Sequence, residues 1–292
     1  MRFFRNPRWQ LISSMLVFGT IGLFVRALPS LSSAEIALYR SLAAVILVGL
    51  FLLATKRRVS LSAIKKSLPL LLLSGAALGF NWIFLFEAYE YTTVSVATLS
   101  YYFSPVLVTV LCPILFREKM GVRQWICFGF STLGIVLITL SSEGTVGKSP
   151  MLGILLGLVA ACLYATIILV NKAIRDIDGI ERTFLQFVVA LVVLIPYVLL
   201  TGGFHIASLN GTGLTLLVVV GVVHTGVTYC LYFSSLGDLP GQQVAILSYI
   251  DPLVAVLCST IILQEPMTPL QIIGGVLILG FTLWNELAPK KK

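Results

Sequence analysis

The stretch LSYIDPLVAV (247–256) puts an aspartate beside a proline in the middle of a long apolar run. An ionised carboxylate at the centre of a bilayer costs about 2.5–3.5 kcal/mol on insertion scales, so such a group normally faces a cavity or a bonding partner. Asp251 could therefore bind a cationic group or carry a proton. It could instead be a packing residue whose side chain bonds Ser248 or the backbone that Pro252 leaves free. Both interpretations stay open.

Polar and aromatic side chains at similar depth in other apolar runs could line the same cavity. Aromatic rings beside an acid suit a cationic or zwitterionic ligand, because the face of a ring attracts positive charge. Histidine titrates closest to neutral pH of all side chains, so His224 could also carry a proton. Each of these residues could instead be ordinary packing in a helical bundle. The candidate substrate-binding residues are Asn81, Trp82, Tyr101, Tyr164, His224, Tyr229, Tyr249 and Asp251.

Two further charged residues have an open assignment. Arg40 is the single basic residue deep within an apolar run, and it could pair with an acid, bond backbone carbonyl groups or receive a substrate carboxylate. Glu87 and Glu90 flank a short predicted turn. Glu87 is either a solvated turn residue or part of an outward-facing vestibule. The candidates for proton coupling are therefore Asp251, His224 and Glu87.

The elements that must hold these residues are membrane-spanning helices. Of the 292 residues, 58% are hydrophobic and 11% are charged, and the mean hydropathy is +1.01. A soluble domain of this composition could not cover its apolar residues with polar surface. Apolar runs of about 20 residues recur, each long enough to cross a hydrocarbon layer of roughly 30 Å as a helix. We predict an all-α membrane protein with ten transmembrane helices, over residues 9–28, 34–54, 67–89, 92–115, 122–140, 151–171, 182–200, 212–236, 241–263 and 268–286.

The net charge is +8, and the basic residues that cause it are distributed as in a membrane protein. We therefore expect no nucleic-acid partner. If the predicted helices alternate in direction, seventeen basic residues fall on one side of the membrane, against Arg26 and Lys148 on the other. The positive-inside rule then makes both termini cytoplasmic in a multi-pass protein of the plasma (inner) membrane. The seventeen are Arg2, Arg5, Arg8, Lys56, Arg57, Arg58, Lys65, Lys66, Arg117, Lys119, Arg123, Lys172, Arg175, Arg182, Lys290, Lys291 and Lys292.

The sequence has no motif for a cofactor. The five cysteines all fall inside predicted helices without the spacing of a metal site, so we expect them to pack and expect no metal. The sequence has no nucleotide-binding loop, so we do not expect ATP to be the energy source within this chain. The expected partners are the lipid bilayer, a small-molecule substrate and a coupling proton.

An internal repeat divides the chain into two copies. Four identical pairs of residues have the same separation of 147 positions: Pro105 and Pro252, Glu118 and Glu265, Met120 and Met267, and Gln124 and Gln271. We predict copies over residues 1–146 and 147–292, each with five helices. Because five is odd, the second copy must insert upside down relative to the first. Inverted repeats are a device of secondary transporters, with the binding site near the midplane between the copies.

The paired prolines predict hinges in the fourth and ninth helices. LSYYFSPVLV (99–108) has the same Leu-Ser-Tyr and the same proline as the stretch around Asp251, but no acid. Each proline removes one backbone hydrogen bond, and the freed carbonyl groups are tolerated at membrane depth only beside protein or water. We therefore expect Pro105 and Pro252 to mark hinges that face a wet cavity with one negative end.

Other acids have contexts typical of helix starts and loops. SSAE (32–35) is a capping box, in which serine and glutamate side chains satisfy backbone donors at the start of a helix. Thr268 and Gln271 predict a second start of this kind. Glu118 and Glu265 are expected to be structural loop acids at opposite membrane faces.

The two five-helix copies and two of their segments resemble the EamA-type branch of the drug/metabolite transporter superfamily. The segments are FREKMGVRQWICFGFSTLGIVLI (116–138) and LQEPMTPLQIIGGVLILGF (263–281), in each of which an acidic loop precedes a glycine-rich helix. The acid–proline pair in the ninth helix is also common in that branch. The resemblance covers essentially the whole chain. It implies a ten-helix transporter and not an enzyme, and its motifs select no substrate.

The expected function is secondary active transport of a small polar metabolite. Members of the superfamily export amino acids and other small metabolites, whereas others import choline or carry sugars and nucleotides. We expect an amino-acid-like or other zwitterionic or cationic substrate, moved by alternating access in proton-coupled export. The alternative is import of a choline-like quaternary amine or another nutrient; an intramembrane enzyme or a lipid flippase is a remote alternative.

Overall fold

The protein is a bundle of α-helices. A computed structural model describes residues 6–56, 60–116, 120–141, 147–236 and 239–287, and these residues contain no β-strand. The all-α prediction is confirmed. The helical segments are α1 (Pro7–Arg26), α2 (Ser33–Ala54), α3 (Leu61–Tyr91), α4 (Val94–Phe116), α5 (Val122–Leu140), α6 (Pro150–Ala173), α7 (Gly179–Thr201), α8 (Gly211–Leu236), α9 (241–262) and α10 (Pro269–Glu286).

Eight of these segments, α1 to α8, are long and apolar enough to cross a membrane, and they coincide with the first eight predicted spans. The apolar part of α9 is shorter (Ile246–Ile262), and α10 has 18 residues. Both coincide with predicted spans, and their crossing of the membrane stays a prediction. The prediction for Glu118 lies outside the described residues, as do those for Arg2, Arg5, Arg57, Arg58, Arg117, Lys119, Lys290, Lys291 and Lys292.

The helices that contain Pro105 and Pro252, α4 and α9, are both interrupted where the repeat aligns them. α4 ends its first part at Tyr101 and starts its second at Ser104, and α9 is broken at Tyr249. Pro105 and Pro252 lie in the first turns of the helices that follow. Because the first-turn N–H groups have no partner inside a helix, proline is tolerated there.

Local capping sets the starts of two helices as the sequence predicts. The Ser32 hydroxyl accepts from the Glu35 backbone N–H at 3.2 Å, and the Glu35 carboxylate accepts from the Ser32 N–H at 3.2 Å. Thr268 and Gln271 form the same reciprocal pair at the start of α10, with distances of 3.2 and 3.0 Å. Both predicted capping boxes are confirmed.

Helices of the two predicted copies pack across the middle of the bundle. α3 packs on α6 and α7, α2 on α7, and α1 on α8, around an apolar core that includes Phe86 and Phe187. Phe130 of α5 stacks on Phe281 of α10 with ring centroids 4.3 Å apart, whereas Ile138 lies against Gly274. Positions rise along α5 as they fall along α10, so these two helices are antiparallel, as inverted copies require.

The α5–α10 contact depends on two facing glycines. A Cβ atom on Gly134 would lie 2.6 Å from the Gly274 carbonyl oxygen, and a Cβ on Gly274 would lie 2.5 Å from the Gly134 carbonyl oxygen. The obstacle is backbone in both directions, so neither helix can accept a side chain without moving. Small residues that allow such close approach are a principal means of packing helices in membranes.

We predict that Gly134→Ala destabilises the protein, because the added methyl group forces α5 and α10 apart. Overpacking of this kind typically costs about 1–3 kcal/mol. The matched control is Gly129→Ala on the same helix, where an added Cβ meets nothing within 4 Å. Thermal unfolding in detergent should show a lower midpoint for Gly134→Ala only. Equal midpoints for the two variants would contradict the tight contact.

Candidate functional site

A cavity of about 130 Å³ lies in the centre of the bundle, where α1, α2, α3, α4, α6, α8 and α9 converge. Its wall combines charged, polar and aromatic side chains with a smaller number of aliphatic ones. The charged and polar residues are Arg40, Asn81, Thr98 and Asp251, and the aromatic residues are Phe18, Trp82, Phe86, Tyr89, Tyr101, Tyr102, Tyr164 and Tyr229.

Asp251 is bonded to a tyrosine of the other copy. The Tyr102 hydroxyl donates to Asp251 Oδ2 at 2.6 Å. The Ser248 hydroxyl donates to the Val244 carbonyl oxygen at 2.8 Å, so the hydrogen bond of Asp251 is made to Tyr102 and not to Ser248. Tyr102 lies in the break of α4, and Asp251 follows the break of α9 by two residues. The two breaks are therefore joined by a charge-assisted hydrogen bond.

A second cavity of about 300 Å³ lies on the other side of this bond. Tyr101, Tyr102, Tyr164 and Asp251 belong to the walls of both cavities. The remaining residues of the second wall lie toward the end of the bundle that holds the start of α9 and the end of α10: Ser104, Pro105, Val108, Ile168, Ser248, Tyr249 and Glu286. Asp251 and Tyr102 thus lie between two cavities, one on each side of their hydrogen bond.

Ring contacts hold the aromatic wall of the central cavity. Tyr101 and Tyr164 have centroids 5.4 Å apart, and Tyr229 packs edge-on against Phe18 at 5.2 Å and Phe187 at 5.0 Å. Edge-on and offset pairs are the favoured arrangements of aromatic rings. The wall is therefore packed from several helices and presents ring faces and hydroxyl groups to the cavity.

Asn81 is a buried polar residue of the wall and is 1% exposed. Its side-chain Nδ2 donates to the Ala160 carbonyl oxygen at 2.7 Å, which ties α3 to α6. This bond fixes the position of the Asn81 side chain on the cavity wall.

Three of the predicted site residues lie elsewhere. His224 is buried against α1, with Nε2 3.0 Å from the Thr20 hydroxyl and its ring 4.4 Å from Phe24, and it lines neither cavity. Tyr249 lines the second cavity and not the central one. Glu87 belongs to neither wall. The other candidates, Asn81, Trp82, Tyr101, Tyr164, Tyr229 and Asp251, all meet at the central cavity.

The sequence alone does not point to several of the residues that line the two cavities. Phe86 and Tyr89 follow Trp82 at spacings of four and seven residues, which puts all three on one face of α3. With Trp82 as a candidate, this helical spacing predicts that Phe86 and Tyr89 lie beside it. Phe18 and Glu286 had no comparable signal, because one is an ordinary apolar residue and the other lies at a helix end.

A cluster of hydrogen bonds joins the two copies near the end of α1, and we call Arg26, Thr92, Val94, Ser259 and Glu265 the clasp. The Arg26 guanidinium donates to Glu265 Oε1 at 2.8 Å and to the Thr92 carbonyl oxygen at 2.7 Å. Glu265 Oε2 accepts from the Val94 N–H at 2.8 Å and from the Ser259 hydroxyl at 2.5 Å. Glu265 is a loop acid, as predicted, and it also caps the start of α4.

The clasp lies one helical turn beyond the central cavity. Thr98 and Ala255 belong to the cavity wall, and Val94 and Ser259 are four residues from them on α4 and α9. Only 10% of the Glu265 side chain is exposed, against 36% for Glu90 in the ion pair with Lys148. The clasp therefore closes this end of the cavity with partly buried charges, which solvent screens less than surface pairs.

α1 and α9 touch at the level of the acid. A Cβ atom on Gly19 would lie 2.6 Å from the Asp251 carbonyl oxygen and 2.6 Å from the Val254 Cβ. Gly19 directly precedes Thr20, where α1 is interrupted. The absence of a side chain at this position lets the backbone of α1 form part of the cavity wall.

Comparison with known proteins identifies the family. The model of the EamA-like transporter family matches residues 9–140 and again residues 151–285. The chain belongs to the EamA-like transporter family. The chain is also 32% identical over 271 residues to a Bacillus subtilis (strain 168) protein named uncharacterized transporter YxxF, a match that covers 92% of this chain and 86% of that protein. The family resemblance that the sequence predicts is confirmed.

Other similarities of this EamA-like transporter are weaker in sequence. Protein RarD of Streptomyces exfoliatus is 22% identical over 284 residues, which covers 94% of this chain and 87% of that protein. A solved crystal structure aligns with a TM-score of 0.62 at 16% identity, over 94% of each chain. At this identity the match shows the fold alone. Membership of the family and the apolar helices together make the chain a multi-pass membrane transporter.

We predict that Tyr102→Phe destabilises the transporter, because it removes the donor to Asp251 and leaves the acid without that bond. Hydrogen bonds to charged groups contribute about 1.5–3 kcal/mol. The matched control is Tyr101→Phe on the same helix and cavity wall, whose hydroxyl has no hydrogen-bond partner among the described residues. Thermal unfolding in detergent at neutral pH should show a loss for Tyr102→Phe that clearly exceeds that of the control. Equal losses would contradict the bond.

Proposed function

We propose that this EamA-like transporter is a secondary active transporter of a small polar metabolite, amino-acid-like or otherwise zwitterionic or cationic. It works by alternating access as a proton-coupled exporter in the plasma (inner) membrane, with both termini in the cytoplasm. The observation that carries the proposal is the position of Asp251, whose carboxylate belongs to the walls of two cavities. A group in that position can exchange its ligand with either side of the membrane in turn.

The coupling mechanism assigned to Asp251 is competition between a proton and a substrate cation for one carboxylate. An ionised acid in a low-dielectric site binds whichever positive group arrives, and both cannot be held at once. The Tyr102 hydroxyl, at 2.6 Å, orients the carboxylate and supports its charged form while it is empty. Of the three candidates for proton coupling, Asp251 is the one that lines a cavity, so the proposal rests on it and not on His224 or Glu87.

Alternating access is assigned to the two inverted copies, residues 1–146 and 147–292. With cytoplasmic termini, the clasp closes the outer end of the central cavity and the second cavity lies on the cytoplasmic side. The breaks at Pro105 and Pro252 supply hinges at the level of Asp251. Opening to the outside then requires that Glu265 leave Arg26 and the start of α4, while the cytoplasmic space closes.

Import of a choline-like quaternary amine is the second candidate function. The aromatic wall favours it, because Trp82, Tyr101, Tyr164 and Tyr229 surround the space beside one acid. Aromatic cages bind quaternary ammonium groups through cation–π attraction. This candidate uses the same cavity and the same acid and differs in the direction of flux.

We predict that Asp251→Asn abolishes substrate exchange while the protein still inserts and folds. Loss of a charge-assisted contact lowers binding by about tenfold or more. The measurement is counterflow in proteoliposomes that are loaded with an unlabelled mixture of amino acids, choline and simple amines, with uptake of the radiolabelled mixture. Asp176→Asn is the control, since Asp176 forms an exposed ion pair with Lys66 at 2.6 Å. Near-normal exchange by Asp251→Asn would remove this residue from the mechanism.

We predict that Glu265→Gln opens the outer end of the central cavity, because it removes the charge that Arg26 and the start of α4 hold in place. In a background without the native cysteines, Ala255→Cys reports on the cavity wall, and a membrane-impermeant maleimide added outside should label it faster when Glu265→Gln is present. Alanine to cysteine adds a single sulfur atom, so the reporter itself perturbs the wall little.

Glu90→Gln is the control for the clasp, since it breaks an ion pair of the same membrane face. Lys148 and Glu90 are 3.3 Å apart and their side chains are 71% and 36% exposed, so this pair contributes little. Labelling of Ala255→Cys should not change in that variant. Equal labelling rates in the Glu265→Gln and parent backgrounds would contradict the gating role of the clasp.

A further inference from the structure

Arg40 is a buried cation on the wall of the central cavity. Its side chain is 4% exposed, and its guanidinium carbon lies 4.2 Å from the centroid of the Trp82 ring and 5.3 Å from that of Phe86. Its Nε donates to the Thr225 hydroxyl at 3.0 Å. Within the part of the chain that the structure describes, no carboxylate lies within 4 Å of it.

The contacts of Arg40 fix its orientation without neutralising its charge. The Thr225 hydroxyl donates to the Val220 carbonyl oxygen at 3.0 Å, so its lone pair is directed at Arg40 Nε. Thr225 lies in the π-helical turn Val222–Val227 of α8, and such turns are frequent at functional sites. A guanidinium has five N–H donors, of which Thr225 uses one. The planar fork of the Nη groups stays available to a planar anion in the cavity.

The second copy shows that the fold itself does not need this charge. Near the start of the two copies the separation is 146 residues, as for Glu35 and Glu181, and it aligns Arg40 with Gln186, which is 2% exposed. The Gln186 amide nitrogen is satisfied by Ser74 at 2.8 Å and by Asn171 at 2.7 Å. An uncharged residue with ordinary hydrogen bonds therefore occupies the equivalent place between helices. The charge of Arg40 therefore needs an anionic partner, and the described residues do not supply one.

Arg40 and Asp251 face one cavity without pairing with each other. They come from α2 and α9, one in each predicted copy, and Asp251 is bonded to Tyr102 instead. A ligand with an anionic and a cationic group could pair with Arg40 through the first and with Asp251 through the second. A simple cation would satisfy Asp251 and leave Arg40 buried without a partner, which is unfavourable.

We propose that Arg40 is the carboxylate-binding residue of the substrate site, and that it selects zwitterions over quaternary and primary amines. The inference rests on the proposed function, because it assigns the opposite end of the same site. Arginine suits this role since its fork donates two parallel hydrogen bonds to one carboxylate, which lysine cannot do. Trp82 supports the guanidinium on the cavity wall, with the Arg40 guanidinium carbon 4.2 Å from its ring centroid.

The test compares acids with their decarboxylated partners. Thermal unfolding of the purified protein in detergent is followed with each of the twenty protein amino acids, with the amine that each gives on loss of its carboxylate, and with choline. Bound ligands raise the unfolding midpoint. At least one amino acid should stabilise the parent protein, and its amine should bind about 10- to 100-fold more weakly.

Arg40→Gln should abolish this preference, so that the acid binds no better than its amine. The variant adopts the residue of the equivalent position and is therefore expected to fold. Arg40→Lys should restore only part of the preference, and Lys66→Gln, which removes an exposed cation, should retain it in full. Equal binding of acid and amine by the parent, a preference that survives Arg40→Gln, or a panel in which no amino acid binds would each overturn the inference.

Failure of the inference is distinguishable from failure of the proposed function. If choline or an amine exchanges in proteoliposomes and depends on Asp251 but not on Arg40, the transporter mechanism stands and the carboxylate site does not. If no solute of the panel exchanges, the proposed function itself is wrong.

Discussion

A carboxylate within an apolar bundle needs a donor, and the interaction that meets this need organises the centre of the molecule. Tyr102 reaches Asp251 at 2.6 Å where α4 and α9 meet, and both helices are interrupted there. A proline follows each interruption within the first turn of the helix that resumes, where proline is tolerated.

Much of the fold could be predicted from the sequence, because apolar length and capping are local properties. The start of α3 could not. The sequence predicts a span from residue 67, whereas the helix begins at Leu61 and includes Lys65 and Lys66. The apolar run ends at the first charged residues. The backbone hydrogen bonds of the helix continue beyond them, because charged side chains can reach solvent from the end of a helix. How the helices pair is non-local, and only the inverted repeat pointed to it.

The site was predictable in its chemistry and less so in its membership. Tyr101 and Tyr102 are adjacent in the chain, and both line the central cavity at the break of α4, which hydropathy alone does not predict. His224 lies in a π-helical turn, which shifts the direction of its side chain relative to a regular helix and turns it toward Thr20. The charges differ between equivalent positions of the two predicted copies. Arg40 aligns with Gln186, and Asp251 aligns with Ser104.

The glycine at position 19 has a mechanical consequence. Because Gly19 has no side chain, the backbone of α1 packs directly against the carbonyl group of Asp251 and against Val254. Two helices in such contact have no room to approach more closely. Bending of α9 toward α1 at Tyr249 would therefore require α1 to move near its own interruption beside Thr20. The first and ninth helices are therefore mechanically coupled at the places where each is interrupted, and Asp251 lies at the contact between them.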